Sequence, residues 1–331
     1  MDDRALLQRL IAGPATGDAL AAAAGQTRAA VWKRIEALRE AGVAIEAKPG
    51  RGYALSQPLD LLDAATIQAA LAPTARARLD SLDIAWTIDS TNSELLRRHT
   101  PARGAAVLLA ERQTGGRGRR GRVWASPLAA HLYLSLARAF GGGLARLGGL
   151  SLVAGIAAAE ALHALGFDSV RLKWPNDLVA LDGDGLRKLG GLLVEGGGEY
   201  AGPARAVIGL GLNVRMPAAA AAQIDQPWCD LAALAGARPL ARNDVVAALL
   251  DALLPALDEF DAHGLAPFRD RYAAFDALAG QAVGVLGHDA EHRGTALGLA
   301  DDGSLRVRLD DGEERRFHAG EVSVRRGGAP R

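Results

Sequence analysis

The chain has 331 residues, 49% of them apolar and 23% charged, a composition that fits a soluble globular protein with core material for two or three domains. Lys+Arg and Asp+Glu both number 38, so no whole-molecule charge draws a polyanion, and any anion site must be a local cluster. One cysteine, Cys229, excludes an internal disulfide and a cysteine zinc cluster, and the start MDDRALLQRL lacks the positive charge of a secretory leader, so the chain reads as cytoplasmic.

Within residues 1–64, ATGDALAAAAG (15–25) predicts a helix ended by Gly25. QTRAAVWKRIEALREAG (26–42) predicts a second, N-capped by Thr27 and ended by Gly42, with Val31, Ile35 and Leu38 on one face. VAIEAKPGRGYAL (43–55) reads as two short strands turned at Pro49-Gly50. Helix, turn, helix and basic hairpin make a winged helix-turn-helix. Residues 26–54 carry six Lys/Arg against three Glu, so Thr27, Arg28, Lys33, Lys48 and Arg51 are the candidate DNA contacts. The plainer alternative is a small helical interaction domain with solvated charges.

Residues 65–272 form the largest segment. Strands are expected at 105–111, 131–139, 170–181, 188–196 and 206–216, with helices near 150–165 and 243–262. The apolar stretch 147–165 is interrupted by Gly148, Gly149, Gly155, Glu160 and His163, so it reads as a buried helix and not a membrane span. Strands outnumber helices, which predicts a mostly antiparallel or mixed sheet with helices packed on it. The tail, 273–331, alternates apolar and charged residues in LRVRLDDGEERRF (305–317) and repeats Asp-Asp-Gly at 301–303 and 310–312. It predicts a small all-β module, a barrel.

Four motifs carry chemistry in the middle segment. DSTNSEL (89–95) reads most simply as a capping box, with Thr91 as N-cap and Glu94 three residues on. ERQTGGRGRRGRVWASP (111–127) comes second, and its centre TGGRGRRGR (114–122) has four glycines and four arginines in nine residues. Guanidinium groups suit phosphate and carboxylate oxygens, and glycines let N–H groups approach an anion. Nucleic acid, a nucleotide or an acyl phosphate would each satisfy it, and a disordered arginine-glycine loop is the plain alternative. KWPNDL (173–178) concentrates polar groups after a strand, and RKLGGLLVE (187–195) places Lys188 at the start of an apolar strand.

Taken in order, PGRGYAL, DSTN, the unbroken GRGRRGR, KWPND, RKLGGLLVE and GLGLNV resemble the biotin–protein ligase family over nearly the whole chain, in the bacterial form that also represses biotin synthesis genes. The resemblance implies a multidomain α+β fold. Its parts are a winged helix-turn-helix (1–64), a biotin/ATP-binding catalytic domain similar to class II aminoacyl-tRNA synthetases (65–272), and an SH3-like β-barrel (273–331). It implies that biotin and ATP, with Mg2+, give biotinoyl-5′-AMP. Biotin then passes to a lysine of the biotin carboxyl carrier domain of acetyl-CoA carboxylase. Operator DNA is the second partner, bound by a homodimer of the adenylate-bound protein, and no membrane is involved.

By motif match, Ser90, Thr91, Asn92 and Gln113 line the biotin head pocket. Gly116, Arg117, Gly118 and Arg119 wrap the valeryl chain and adenylate phosphate, with Arg122 beside the nucleotide. Lys188 sits where carboxylate meets α-phosphate as the main electrostatic catalyst, and Gly191 and Gly209 leave space for ligand. Asn176 and Asn213 are candidates for phosphate, metal or ribose contacts, and no residue is assigned as a resident metal ligand. Asp177 orients or deprotonates the incoming lysine. Trp228 either stacks on adenine or is a buried core residue, and His131 stands where the family often has Asn. Two rival readings are a ligand-sensing transcription factor without catalysis and a lipoate-type acyl-adenylating ligase. Arg117, Arg119, Lys188 and KWPND disfavour the first, and GRGRRGR disfavours the second.

Overall fold

The computed structural model describes residues 1–141, 143–183, 185–198, 204–287, 290–319 and 323–326, without the side chains of 145, 146, 323 and 326. The winged helix-turn-helix comprises α1 (Asp3–Ala12), α2 (Gly17–Ala24), α3 (Arg28–Glu40) and the antiparallel hairpin β1 (Ile45–Lys48) and β2 (Gly52–Leu55). Each helix begins on an oxygen cap: Asp2, Thr16 and Thr27 accept from the N–H groups of Ala5, Ala19 and Ala30. Val31, Ile35 and Leu38 are buried in this domain's own core, as their spacing predicts.

The central domain contains α4 (Ala64–Ala70), α5 (Pro73–Arg76), β3 (Leu79–Ala85), α6 (Thr91–Arg97), β4 (Ala105–Ala110), β5 (Leu132–Phe140), α7 (Leu150–Ala164), β6 (Val170–Lys173), β7 (Asp177–Asp182), β8 (Gly185–Gly198) and β9 (Ala204–Leu212). After these come α8 (Ala218–Ala221), α9 (Leu231–Ala235), α10 (Arg242–His263) and α11 (Arg269–Phe275). The seven strands lie in the order β3-β4-β5-β9-β8-β7-β6, with β3–β4 parallel and every other pair antiparallel. One face packs on α7 and α10 through Leu134, Ile208, Leu210 and Leu212. The other face meets α6 through Leu95, Ala137 and Val207. α7 is apolar all round and buried, as a core helix must be.

Two expectations change. Residues 170–181 are not one strand but β6 and β7, because Pro175 has no N–H with which to continue a ladder. The chain reverses there and pairs Lys173 with Asp177. β3 was not foreseen; its sequence LDSLDIA is half polar, as suits an edge strand that only β4 accompanies.

The tail forms the expected all-β module: β10 (Ala282–Leu286), β11 (Glu291–Leu299), β12 (Leu305–Leu309), β13 (Glu314–Phe317) and β14 (Ser323–Arg326), in the antiparallel order β13-β12-β11-β10-β14. Its Val283, Val285, Leu305 and Val307 join the central domain's apolar core. Accordingly α11 runs across position 272, where the sequence places a domain boundary.

The winged domain is also fastened to the central one. Leu128 and Ala129, which follow the arginine motif, lie in the winged domain's core, and the Leu128 N–H donates to the Ala41 carbonyl at 2.8 Å. Gly42 has φ +102°, and a Cβ there would stand 2.6 Å from that of Pro127, so only glycine allows this contact. The connecting chain is held by a buried ion pair, Arg242–Glu111 at 2.8 Å, with the two side chains 2% and 1% exposed. Glu111 also accepts the Leu62 N–H at 2.6 Å, and Arg242 reaches the Asp60 carboxylate at 3.3 Å.

Candidate active site

On the α6 face of the sheet the side chains disappear. The β9 sequence Gly209-Leu210-Gly211-Leu212 alternates, so leucines face α7 while glycines face α6. Gly191 of β8 lies opposite Gly211, and Ser135 of β5 opposite Gly209. Lys188 joins this face only through a bulge. Leu178 pairs with Gly190 but Val179 with Lys188, leaving Leu189 unpaired. Strict alternation would put Lys188 and Gly191 on opposite faces; the extra residue re-aims the lysine onto the glycine floor. There Lys188 Nζ lies 2.8 Å from Asp177 Oδ1.

The glycines were expected to leave room for ligand directly. Two of the floor glycines, Gly209 and Gly211, each lie close against a side chain, whereas a Cβ on Gly191 would make only ordinary contacts. A Cβ on Gly209 would fall 2.3 Å from Asn92 Oδ1, and one on Gly211 would fall 2.6 Å from the Trp124 ring. A Cβ on Gly191 would meet Lys188 Nζ at 3.4 Å and Asp177 Oδ1 at 3.5 Å. Trp124, which carried no expectation, lies under the Lys188 ammonium at 5.6 Å from ring centroid to Nζ. Its Nε1 is buried and without a hydrogen-bond partner among the described residues, which leaves a donor for an incoming acceptor.

At one end of the floor Ser90, Thr91 and Asn92 open α6, all buried. The N-cap is Ser90, not Thr91: its Oγ accepts the Ser93 N–H at 3.4 Å, while Glu94 pairs with Arg97 and Arg98. No capping box forms, because the helix starts one residue earlier than the motif suggests. Thr91 is freed to donate its N–H and hydroxyl to Gln113 Oε1, at 2.9 and 3.1 Å. Ser135 Oγ, fully buried, lies 2.7 Å from Thr91 Oγ1 and 2.6 Å from Asn92 Oδ1. The sequence gave no sign of Ser135; a lone serine in LYLSL reads as a strand residue. Glu195, four residues along β8 from Gly191, accepts from Asn92 Nδ2 at 2.9 Å.

The arginine motif is folded, so the disordered-loop alternative does not hold. Arg117 bridges antiparallel to Val123, Trp124 N–H donates to Gly116, and Gly118 N–H donates to Arg122. Arg120 and Gly121 close the tip at φ +56° and +70°. Gly116 is needed for packing, since a Cβ there would stand 2.7 Å from Ser126 Oγ. Arg119 reaches Asn176 Oδ1 at 3.0 Å and the Ala319 carbonyl of the C-terminal module. Burial and the charge of Arg120 lower its pKa while Asp177 raises it. Arg117, expected to help wrap the valeryl chain and adenylate phosphate, pairs with Glu195 at 3.0 Å and Ser93 at 2.6 Å. Arg122 is exposed at the rim.

The remaining candidates divide. Asn176 Nδ2 binds the Leu192 carbonyl at 2.9 Å, so this side chain props β8 and Arg119 together. Asn213 spends its Nδ2 on the Cys229 and Lys188 carbonyls, at 3.0 and 3.4 Å, a structural use. Trp228 is half-buried and bridges to Lys188 by backbone, which sets it beside the site. Lys173, at the turn before Asp177, has its pKa lowered by burial. His131 is away from the floor and fully buried: Nδ1 accepts the Val214 N–H at 3.1 Å and Nε2 faces the Met216 sulfur.

Burial, then the charge of Arg242, drive the His131 pKa down to about 3. Between that value and about 6.5 the unfolded chain binds a proton that the folded chain refuses, so stability falls as pH drops through this window. From pH 7 to 5 the loss due to His131 is about 2 kcal/mol. Urea unfolding of wild type and His131→Gln at both pH values should show the variant losing less by that amount; equal losses would exclude His131.

In the winged domain Arg28 pairs with Asp18 at 3.2 Å and Lys48 with Glu46 at 3.5 Å, all largely exposed. Thr27 uses its hydroxyl as a cap, while Lys33 and Arg51 are exposed. Trp32, 53% exposed between Ala29 and Lys33 on the same helix face, was not foreseen as a contact.

Three family models match the chain: the Biotin/lipoate A/B protein ligase family over residues 84–213, an HTH domain over 3–54, and the Biotin protein ligase C terminal domain over 279–325. The bifunctional ligase/repressor BirA of Salmonella typhimurium is 41% identical over 312 residues, covering 94% of this chain and 93% of the relative. That of Escherichia coli is 39% identical, covering 94% and 92%. Among solved structures, a biotin protein ligase from Aquifex aeolicus in complex with biotin and ATP superposes with TM-score 0.63 at 26% identity, covering 75% of this chain and all of that one.

Proposed function

We infer the mechanism from one premise: the chain belongs to the biotin protein ligase family, in its bifunctional ligase/repressor form. It is a biotin–protein ligase carrying a helix-turn-helix repressor domain. The observation that carries the assignment of roles is the bulge that turns Lys188 onto the glycine floor, beside Asp177 and over the Trp124 ring.

Biotin lies along the floor with its head at the Asn92 end. The ureido ring offers one acceptor and two donors, matched by Ser90, Thr91, Asn92 and Gln113. Its carboxylate reaches Lys188, where ATP presents the α-phosphorus. A carboxylate oxygen attacks that phosphorus, pyrophosphate leaves, and biotinoyl-5′-AMP remains. Two anions must meet in this step, so a fixed ammonium stabilises the charge that gathers in the transition state. Mg2+ enters with ATP and offsets the triphosphate charge. Arg119 and Arg122 engage the phosphates as the hairpin excludes water from the mixed anhydride. Lys188, once it turns to the phosphate, releases Asp177. Asp177 then takes a proton from the carrier-domain lysine, whose nitrogen attacks the acyl carbon and expels AMP. ATP-dependent transfer of labelled biotin to a purified carrier domain tests the ligase reading, and no transfer by folded protein would refute it.

The exposed face of α3, with Lys33 and Trp32, enters the operator groove, and two copies on a symmetric site add their contacts. Adenylate favours that dimer by ordering the hairpin and the loop at 217–228. The pairing surface we propose, 196–202, lies outside the described residues from 199 onward. Sedimentation and operator binding should be run without ligand, with biotin alone, and with biotin plus MgATP. We expect dimer and tight binding only in the last case, and weaker binding by Trp32→Ala with biotin transfer intact. Equal dimerisation of ligand-free protein would overturn the coupling.

A further inference from the structure

Two arginines of the hairpin, Arg117 and Arg119, reach opposite ends of the floor. Arg119 goes to Asn176, on the turn before Asp177, whereas Arg117 goes to Glu195. Four strand residues separate Gly191 from Glu195, about 13 Å along β8. The Arg117 pair therefore lies at the end where Asn92 stands, away from Lys188 and Asp177 beside Gly191. Both Glu195 oxygens are used: Oε1 and Oε2 accept from Arg117 Nη2 at 3.0 and 3.2 Å, and Oε2 also accepts from Asn92 Nδ2 at 2.9 Å. Arg117 Nη1 meanwhile donates to Ser93 Oγ at 2.6 Å, on the first turn of α6. One carboxylate thus touches the hairpin and the head pocket together.

We propose that Glu195 is a positioning residue that clasps the hairpin shut over the biotin head without help from phosphate. Among the described residues Arg119 bonds only to neutral acceptors, the Asn176 amide oxygen and the Ala319 carbonyl, and gains a directly bonded anion from a nucleotide, whereas Arg117 finds its anion within the protein. Closure at the head end is then available as soon as biotin enters. The same carboxylate helps orient Asn92: Nδ2 donates to Glu195 at 2.9 Å and to the Leu193 carbonyl at 3.2 Å, which leaves Oδ1 toward Ser135 and the floor. This reading rests on the ligase function above and deepens it, assigning retention of biotin and of its adenylate to a carboxylate on β8.

The pair is partly exposed, 38% for Arg117 and 27% for Glu195, so the effect is modest, about fivefold. The test uses the full chain charged with labelled biotinoyl-AMP, followed by measuring how fast label is lost. Glu195→Ala and Glu195→Gln should each speed loss roughly fivefold and raise KM for biotin by more than they lower kcat for pyrophosphate release. Glu195→Asp, which keeps the charge, should recover part of both. Arg117→Ala breaks the clasp and spares the Asn92 contact, so it should speed loss without the whole KM effect. The double variant Arg117→Ala/Glu195→Ala should lose label no faster than the worse single one. Unchanged retention in both single variants, or fully additive effects, would overturn the clasp. A wild-type protein that forms no adenylate would instead overturn the ligase reading, and the clasp with it.

Discussion

Replacing Lys188 with alanine is expected to lower biotin-dependent pyrophosphate release by about 10²–10³-fold, the usual cost of losing one preorganised donor at a reacting anion. The substitution leaves the fold intact, because β8 is held at this point by backbone: the Lys188 N–H donates to Pro227 and its carbonyl accepts from Cys229, each at 2.9 Å. What is lost is the ammonium over the Trp124 ring. In the resting chain Asp177 neutralises it at 2.8 Å, so the charge is fixed in place before the phosphate arrives. Adenylation measured at saturating biotin and MgATP should fall while urea unfolding changes little. Near-normal adenylation by folded Lys188→Ala would remove this residue from the mechanism.

Arg242→Met should destabilise the protein by about 3–5 kcal/mol, the range for a buried ion pair stripped of one partner. Methionine fills similar volume but leaves the Glu111 carboxylate, 1% exposed, without its counter-charge. It also removes donors to Asp60 and to the His131 carbonyl. Adding Glu111→Gln should recover most of the loss, since an amide can still accept the Leu62 N–H that Glu111 now holds. Urea unfolding of the two single variants and the double would decide it. Independent, additive losses would mean that the pair is not a unit.

These two sites differ in how far the sequence exposed them. The winged domain and the mixed sheet were legible, and the motifs picked out Lys188 and the cluster Ser90, Thr91, Asn92 and Gln113 as candidates, which the fold brings to one face of the sheet. Each of those is marked by a motif or an uninterrupted period. The way Lys188 comes to face the site was not. Its bulge is one unpaired leucine in an apolar run, and period alone would have turned the lysine into the core. Arg242 and Glu111 were invisible because they lie 131 positions apart and each looks like an ordinary surface charge in its own segment. Of the floor glycines, Gly191 and Gly209 were picked out and Gly211 was not, nor were the side chains that pack on Gly209 and Gly211. Small residues announce a close approach; which side chain makes it is decided by strands distant in sequence. Ser135, Trp124 and Glu195 escaped for the same reason.

The floor also limits how this binding site can diverge. Clearance above β8 and β9 is set by backbone, and backbone has no graded series of sizes. The smallest available step, glycine to alanine, would put a carbon 2.3 Å from Asn92 at position 209 and 2.6 Å from Trp124 at position 211. Such positions change all at once or not at all. New acyl substrates are therefore reached through the walls, at Asn92, Ser135, Trp124 and Glu195, where side chains come in many sizes and a variant can be partly good. A library randomised at those four positions should yield functional clones with altered acyl preference, whereas one randomised at 209 and 211 should return almost nothing but glycine.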